Sequence, residues 1–290
     1  MKNFIGIISL VFLFSLGLSE FAQAQSQTSQ TEGKWIYEKQ IGQRRPAPYP
    51  HLREADVLWA KKVWRLVDLR EKMNHPLYFP TEPKGTWKSL IDVILGEINS
   101  GTINAYDATY DEDGSNMTLL VTQNDIDKIF DAGIDTIMVP DPDNPSRMIP
   151  SVSVTERSTE EVQQYIVQEI WYFDSKLSSL QVRILGICPV RISDNPETGE
   201  REKRRLFWIH YPDFRTTFAN HESFNTFNDA KRISYDDLFL QRRFSSFIFA
   251  ESNVYNNRLV TDYETGRGAL LESERIKQEI FNFEQDLWEY

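Results

Sequence analysis

One cysteine in 290 residues, Cys188, excludes an internal disulfide, so the fold must be held by a packed core. Histidine is nearly as scarce: four residues, at 51, 75, 210 and 221. Only His210 and His221 lie near each other, and a metal site on them needs Asp213 or Glu222 as a further ligand. No G-x-S-x-G occurs, which leaves a hydrolase elbow unsupported. His221-Glu222 is followed by Ser223, Phe224 and Asn225, so the zinc-protease pattern H-E-x-x-H is absent. No metal and no cofactor is expected. Positive charge is also in deficit, with 32 Lys and Arg against 43 Asp and Glu. The net −11 argues against nucleic acid and against binding anionic lipid by bulk charge.

The one long apolar run, residues 4–18, is short of the roughly 20 residues a membrane span requires. Lys2 precedes it and Ala22-Gln23-Ala24 follows, so residues 1–24 read as an export signal with cleavage near Gln25. No Cys follows the run to carry a lipid. The expectation is an exported protein with no membrane insertion of its own. Cys188, in ILGICPV, is expected as a buried strand thiol.

Residues 25–50 read as an extended arm. QSQTSQTEG is polar, and RRPAPYP carries three prolines. Between them KWIYEKQI forms an apolar island around Trp35, Ile36 and Tyr37. Such an island serves equally as a first strand on the domain or as a segment added to a neighbouring subunit.

Residues 51–290 are expected to form one α+β domain of helices and antiparallel hairpins. Apolar residues at spacings of three and four predict a helix over 52–73, with Asp68 and Lys72 as an i,i+4 pair. A second helix is predicted over 87–98. Two strand-like runs then meet at Asp113-Gly114, and a short helix over 125–130 ends at Gly133. IDTIMV and SVSV form the next extended pair. Ser158 and Glu161 have the spacing of a capping box and predict a buried helix through Phe173. A strand over 180–192 turns at NPETGE into RLFWIHY. Ser234 and Asp237 predict another capped helix, and 270–288 a last one.

Several strings resemble binding motifs and break at nameable places. DEDGSN at 111–116 is half a calcium loop, but Thr109 and Leu120 stand where acids belong, so a turn fits better. DPDNP at 141–145 reads as a rigid loop. Tyr263-Glu-Thr-Gly-Arg-Gly268 lacks the strand–helix setting of a phosphate loop. REKRR at 201–205 is a local basic cluster, read either as a solvated hairpin end or as a contact patch. Carboxylates are abundant, which leaves open a secreted hydrolase built on a pair roughly 5 to 9.5 Å apart. The many Trp and Tyr leave open a peptidoglycan- or glycan-binding module.

The final third is the most distinctive part of the chain. Of 37 aromatic residues, 18 lie beyond Arg204, interleaved with Arg, Asp and Glu, which suits a packed core or a protein-contact surface. Three blocks resemble the GldN/PorN family of the type IX secretion and gliding-motility machinery of Bacteroidetes. They are HLREADVLWAKKVWRLVDLREKMNHPLYFP at 51–80, WIHYPDFRTTFANHESFNTFNDAKRISYDDLFLQRRFSSFIFAESNVYNNRL at 208–259, and LLESERIKQEIFNFEQDLWEY at 270–290. The resemblance implies a periplasmic, non-catalytic structural subunit. It implies assembly with an outer-membrane lipoprotein, GldK or PorK, into a ring beneath the outer membrane. It also implies coupling to the inner-membrane motor component GldM or PorM. A ring needs two different patches on each copy. Candidates are the arm with Trp35, Ile36 and Tyr37, the basic hairpin end with Arg204 and Arg205, and a surface around Arg242, Arg243, Trp288 and Tyr290. For this last set, salt-bridged core packing is the alternative.

Overall fold

Val63 and Trp64 are neighbours in sequence, both buried, yet they pack into different apolar clusters on opposite faces of a sheet. The computed structural model in which they do so describes residues 44–287, except 85–86, 110–113, 115, 141–147, 156, 195–198, 226–227 and 229–230. Side chains of 134–155 are likewise outside the description. The export signal and the KWIYEKQI island therefore lie outside the described residues.

The stretch expected as the first helix is instead strand β1 (Val57–Asp68). Its apolar residues satisfy helical spacing only because both faces of the strand are apolar. Val63 and Val67 point to one side, Trp64 and Leu66 to the other. Asp68 accordingly pairs with Arg70, and not with Lys72. The second correction has the same cause. Residues expected as a capped helix from Ser158 form β5 (Val162–Asp174), where Tyr165 through Glu169 are all buried. Continuous burial marks a central strand covered on both faces. Glu161, cast as a capping residue, instead accepts from Arg191.

The main sheet has seven strands and is antiparallel throughout. Its order runs β11 (Phe247–Glu251), β1, β5, β6 (Ser179–Asp194), β8 (Phe207–His210), β2 (Ala105–Asp107), and β7 (Arg201–Arg205) also pairs with β6. The expected strand over 180–192 and its hairpin partner are thus present. The expected pair IDTIMV and SVSV forms a separate two-stranded sheet, β3 (Gly133–Pro140) and β4 (Met148–Thr155), and β9 (Glu222–Ser223) pairs with β10 (Ile233–Ser234) in another. The run meeting at Gly114 folds back on β2, with Leu120 bridging to Tyr106. Gly114 sits at φ +67°, and a Cβ there would lie 2.6 Å from the Trp208 ring, so glycine is required.

Six helices occur among the described residues: α1 (His75–Tyr78), α2 (Leu90–Asn99), α3 (Gln123–Ile129), α4 (Tyr211–Asn220), α5 (Tyr235–Leu240) and α6 (Arg267–Asp286). With the antiparallel sheets they make the α+β class expected. The capping box predicted at Ser234 and Asp237 is formed. The largest core cluster joins α2, α4 and α5 to β5, β6 and β8 around Phe207, Tyr211, Phe214, Phe218 and Phe239. A smaller one seats α6 on the far strands through Val63, Ile248, Ile276 and Ile280. Much of the aromatic final third is therefore core. Cys188 is fully buried in β6, as expected, and burial pushes its thiol up to about 12.

Candidate partner-contact site at the root of the arm

Proline locks φ and removes a donor, so PAPYP at 46–50 cannot join a helix and must find other partners for its carbonyls. Two arginines supply them. Arg215 Nη2 donates to Ala47 O and Arg183 Nη2 to Pro50 O, each at 2.7 Å. Between these bonds Tyr49 is clasped by both guanidinium groups, 4.1 Å from Arg215 and 4.9 Å from Arg183 to the ring centroid. Arg44 finishes the attachment. Its backbone N–H donates to Asn220 Oδ1 at 3.0 Å and its guanidinium to Asp237 at 3.3 Å.

The anchor beneath this strap is built by two helix starts. Pro212 opens α4, and one turn separates Tyr211 from Arg215, so both reach the same point. The Ser234 cap starts α5 and sets Asp236 in its first turn. Asp236 then accepts Arg215 Nε at 3.0 Å, Arg215 Nη2 at 3.1 Å and the Tyr211 hydroxyl at 2.9 Å. A buried charge is tolerable only when its oxygens are satisfied in this way. Burial, followed by the Asp236 charge, raises the Tyr211 pKa far above its ordinary range. Burial likewise raises Tyr49, while Arg215 opposes the shift. Neither phenol is poised to exchange a proton near neutral pH.

Beside the strap lies a polar cleft of about 370 Å³ lined by Arg44, Arg45, Lys231, Arg243, Asp236 and Asp237 among others. Both acids are engaged, Asp236 with Arg215 and Asp237 with Arg44 and the Ser234 N–H. The structure thus brings the root of the arm, residues 44–47, and Arg243 to one cleft, although the sequence keeps them far apart.

Arg242 and Arg243, adjacent in sequence, go opposite ways. Arg242, at φ +53°, turns inward to the fully buried Glu169, with 2.9 and 3.1 Å contacts to its two oxygens. It lies over the Trp171 ring, whose Nε1 donates to Glu169 Oε2. Arg243 turns outward into the cleft. Arg204 is on β7, 3.8 Å from Asp131, and Arg205 is on the same strand; neither lines this cleft. Trp35, Ile36, Tyr37, Trp288 and Tyr290 lie outside the described residues. Sequence reasoning missed Arg45, Lys231, Arg183, Arg215 and Asp236. The legible hints were the tyrosine set between prolines and the capping box that sets Asp236 in the first turn of α5.

The other candidates disperse. His210 Nδ1 lies 3.0 Å from Asp213, and His221 Nδ1 lies 2.9 Å from Thr217 O. Among the described residues no three His, Cys, Asp or Glu side chains gather as a metal site. The glycines of Tyr263–Gly268 serve to start α6, with Gly266 at its N-cap. No helix among the described residues is long and apolar enough to cross a membrane.

Residues 52–289 match the family described as "Gliding motility associated protein GldN". The chain belongs to the GldN family. The matched span contains Arg215, Asp236, Lys231 and Arg243, while the arm root at 44–51 precedes it. No curated protein matches this GldN chain.

Proposed function

We propose that this chain is a non-catalytic, periplasmic structural subunit of the type IX secretion machinery. It assembles with an outer-membrane lipoprotein of the GldK or PorK kind into a ring. That ring couples to a GldM- or PorM-like inner-membrane protein and supports gliding where the cell glides. The observation that carries the reading is membership of a gliding-motility family over most of the chain. The site suits it in kind: a strapped arm root beside a charged cleft fits a contact surface, and the two acids of the cleft are tied into ion pairs. Affinity purification from the native envelope, followed by electron microscopy, tests the proposal. A ring-shaped complex containing a lipoprotein is the expected result; a lone monomer overturns it.

A second reading, peptidoglycan or glycan binding, is favoured by one feature. A groove of about 540 Å³ is walled by Phe79, Trp87 and Phe224, with Lys84, Lys88 and Glu222 at its polar positions. Trp87 and Phe224 meet edge to face at 5.9 Å. Exposed aromatic faces flanked by polar groups suit stacking on sugar rings. Recovery of the chain on purified cell wall, lost on Trp87→Ala, supports this reading, and no recovery removes it.

A further inference from the structure

Among the described residues, the cleft at the arm root holds more positive charge than its acids neutralise. Asp236 and Asp237 are spent on Arg215, Arg44 and a backbone N–H. Arg45, Lys231 and Arg243 are exposed and line the cleft, and no carboxylate among the described residues lies within ion-pair distance of them. On a chain of net charge −11 this is a local inversion of sign, and a concave one, which concentrates the field.

The opposite imbalance stands at the end of α6. Its last turn carries Glu284 and Asp286 and no basic residue, and the sequence goes on to Glu289. Earlier acids of this helix have partners: Glu272 and Glu279 pair with Arg275, and Glu274 with Lys277. No Lys or Arg among the described residues pairs with Glu284 or Asp286. The C-terminal end of a helix already bears partial negative charge, so acids there are unfavourable unless a cation is supplied from outside. No described residue of α6 lines the cleft.

We propose that the acidic end of α6, with Glu284 and Asp286, docks in the Arg45–Lys231–Arg243 cleft of a second copy of this chain. Two acids at a helix C-terminus, itself partly negative, face a cleft with three cations. The two patches differ, so the contact is head to tail and propagates from copy to copy, as a ring requires. This inference rests on the assembly reading above and names the surfaces that would carry it.

Charge reversal on the full chain tests it. Lys231→Glu with Arg243→Glu makes one variant, and Glu284→Lys with Asp286→Lys the other. All four positions are on the surface or partly so, and thermal melts establish that both variants fold. Sedimentation velocity should show self-association about tenfold weaker for each variant alone. An equimolar mixture should recover mixed pairs, and wild-type association should weaken as salt rises. Unchanged association of either variant, or a mixture that recovers nothing, overturns the proposal. If both variants still enter lipoprotein-containing rings, only this contact fails and the assembly function stands. If the wild type enters no such ring, the assembly function fails and the contact falls with it.

Discussion

Arg215 and Asp236 meet as two forks, Nε to Oδ1 at 3.0 Å and Nη2 to Oδ2 at 3.1 Å, with 7% and 3% of their side chains exposed. The same Nη2 also holds Ala47 O, so the pair ties the arm root to the two helices that start beneath it. Arg215→Ala leaves Asp236 buried without its cation, and an orphaned buried charge costs about 3–5 kcal/mol. Arg44→Ala, which removes a half-exposed pair to Asp237, should stay within about 1 kcal/mol. Denaturant unfolding of the two variants measures both, and equal effects would contradict this account of the anchor.

Ser273 covers a sheet edge. Its Oγ accepts the Ile248 N–H at 2.9 Å, so the outer strand β11 finds a partner in α6 where no further strand lies. Ser273→Ala leaves that buried donor unmet, at about 1–3 kcal/mol. Hydrogen exchange at the Ile248 amide should accelerate with it. An unchanged exchange rate would show that something else protects the edge.

Cys188 is a built-in reporter of unfolding. Its thiol is fully buried and held near 12 by burial, against a smaller opposing pull from Arg205. A thiol reagent should label the native protein only as fast as the sheet opens, and label denatured protein at once. Rapid stoichiometric labelling without denaturant would refute the burial.

Asp68 gives the chain an acid-sensitive point. Its carboxylate accepts from Arg70 first, and from Gln164, which lowers its pKa from 3.8 to about 2. A depressed folded value favours the folded state above the unfolded pKa near 3.8, and that contribution fades as pH falls through about 2. Asp68→Asn should therefore be less stable than wild type near pH 6, with the gap closing toward pH 2. Unfolding free energies across that range decide it, and a constant gap would assign the loss to packing alone.

The two large departures from the sequence reading share one origin. Strands β1 and β5 are apolar on both faces, and a run apolar on both faces satisfies helical and strand periods alike. Aromatic and β-branched content at Val57, Trp59, Val63, Trp64 and Val67 was the cue that favours a strand. The capping box at Ser158 and Glu161 was spacing without a helix behind it, whereas the one at Ser234 was real because α5 packs into the largest core cluster. Only part of the candidate site was readable. The arm root is extended where prolines forbid a helix, and Arg243 was marked as a contact residue. That Arg242 would turn inward and its neighbour outward depends on a single residue at positive φ and on Glu169, 73 positions away.

The sequence by itself determined the dependence on a packed core, the family, the capped helix from Ser234, the strand holding Cys188 and the last helix. The family is carried by resemblance along most of the chain, and the rest follows from composition and from interactions within a few residues, which require no knowledge of the fold. Only the tertiary structure decided that two amphipathic-looking runs are central strands, that an Arg–Asp pair clasps the arm, and that Arg45, Lys231 and Arg243 share one cleft. Those outcomes depend on which distant surfaces cover a segment and which distant charge satisfies a carboxylate, and a local pattern carries neither.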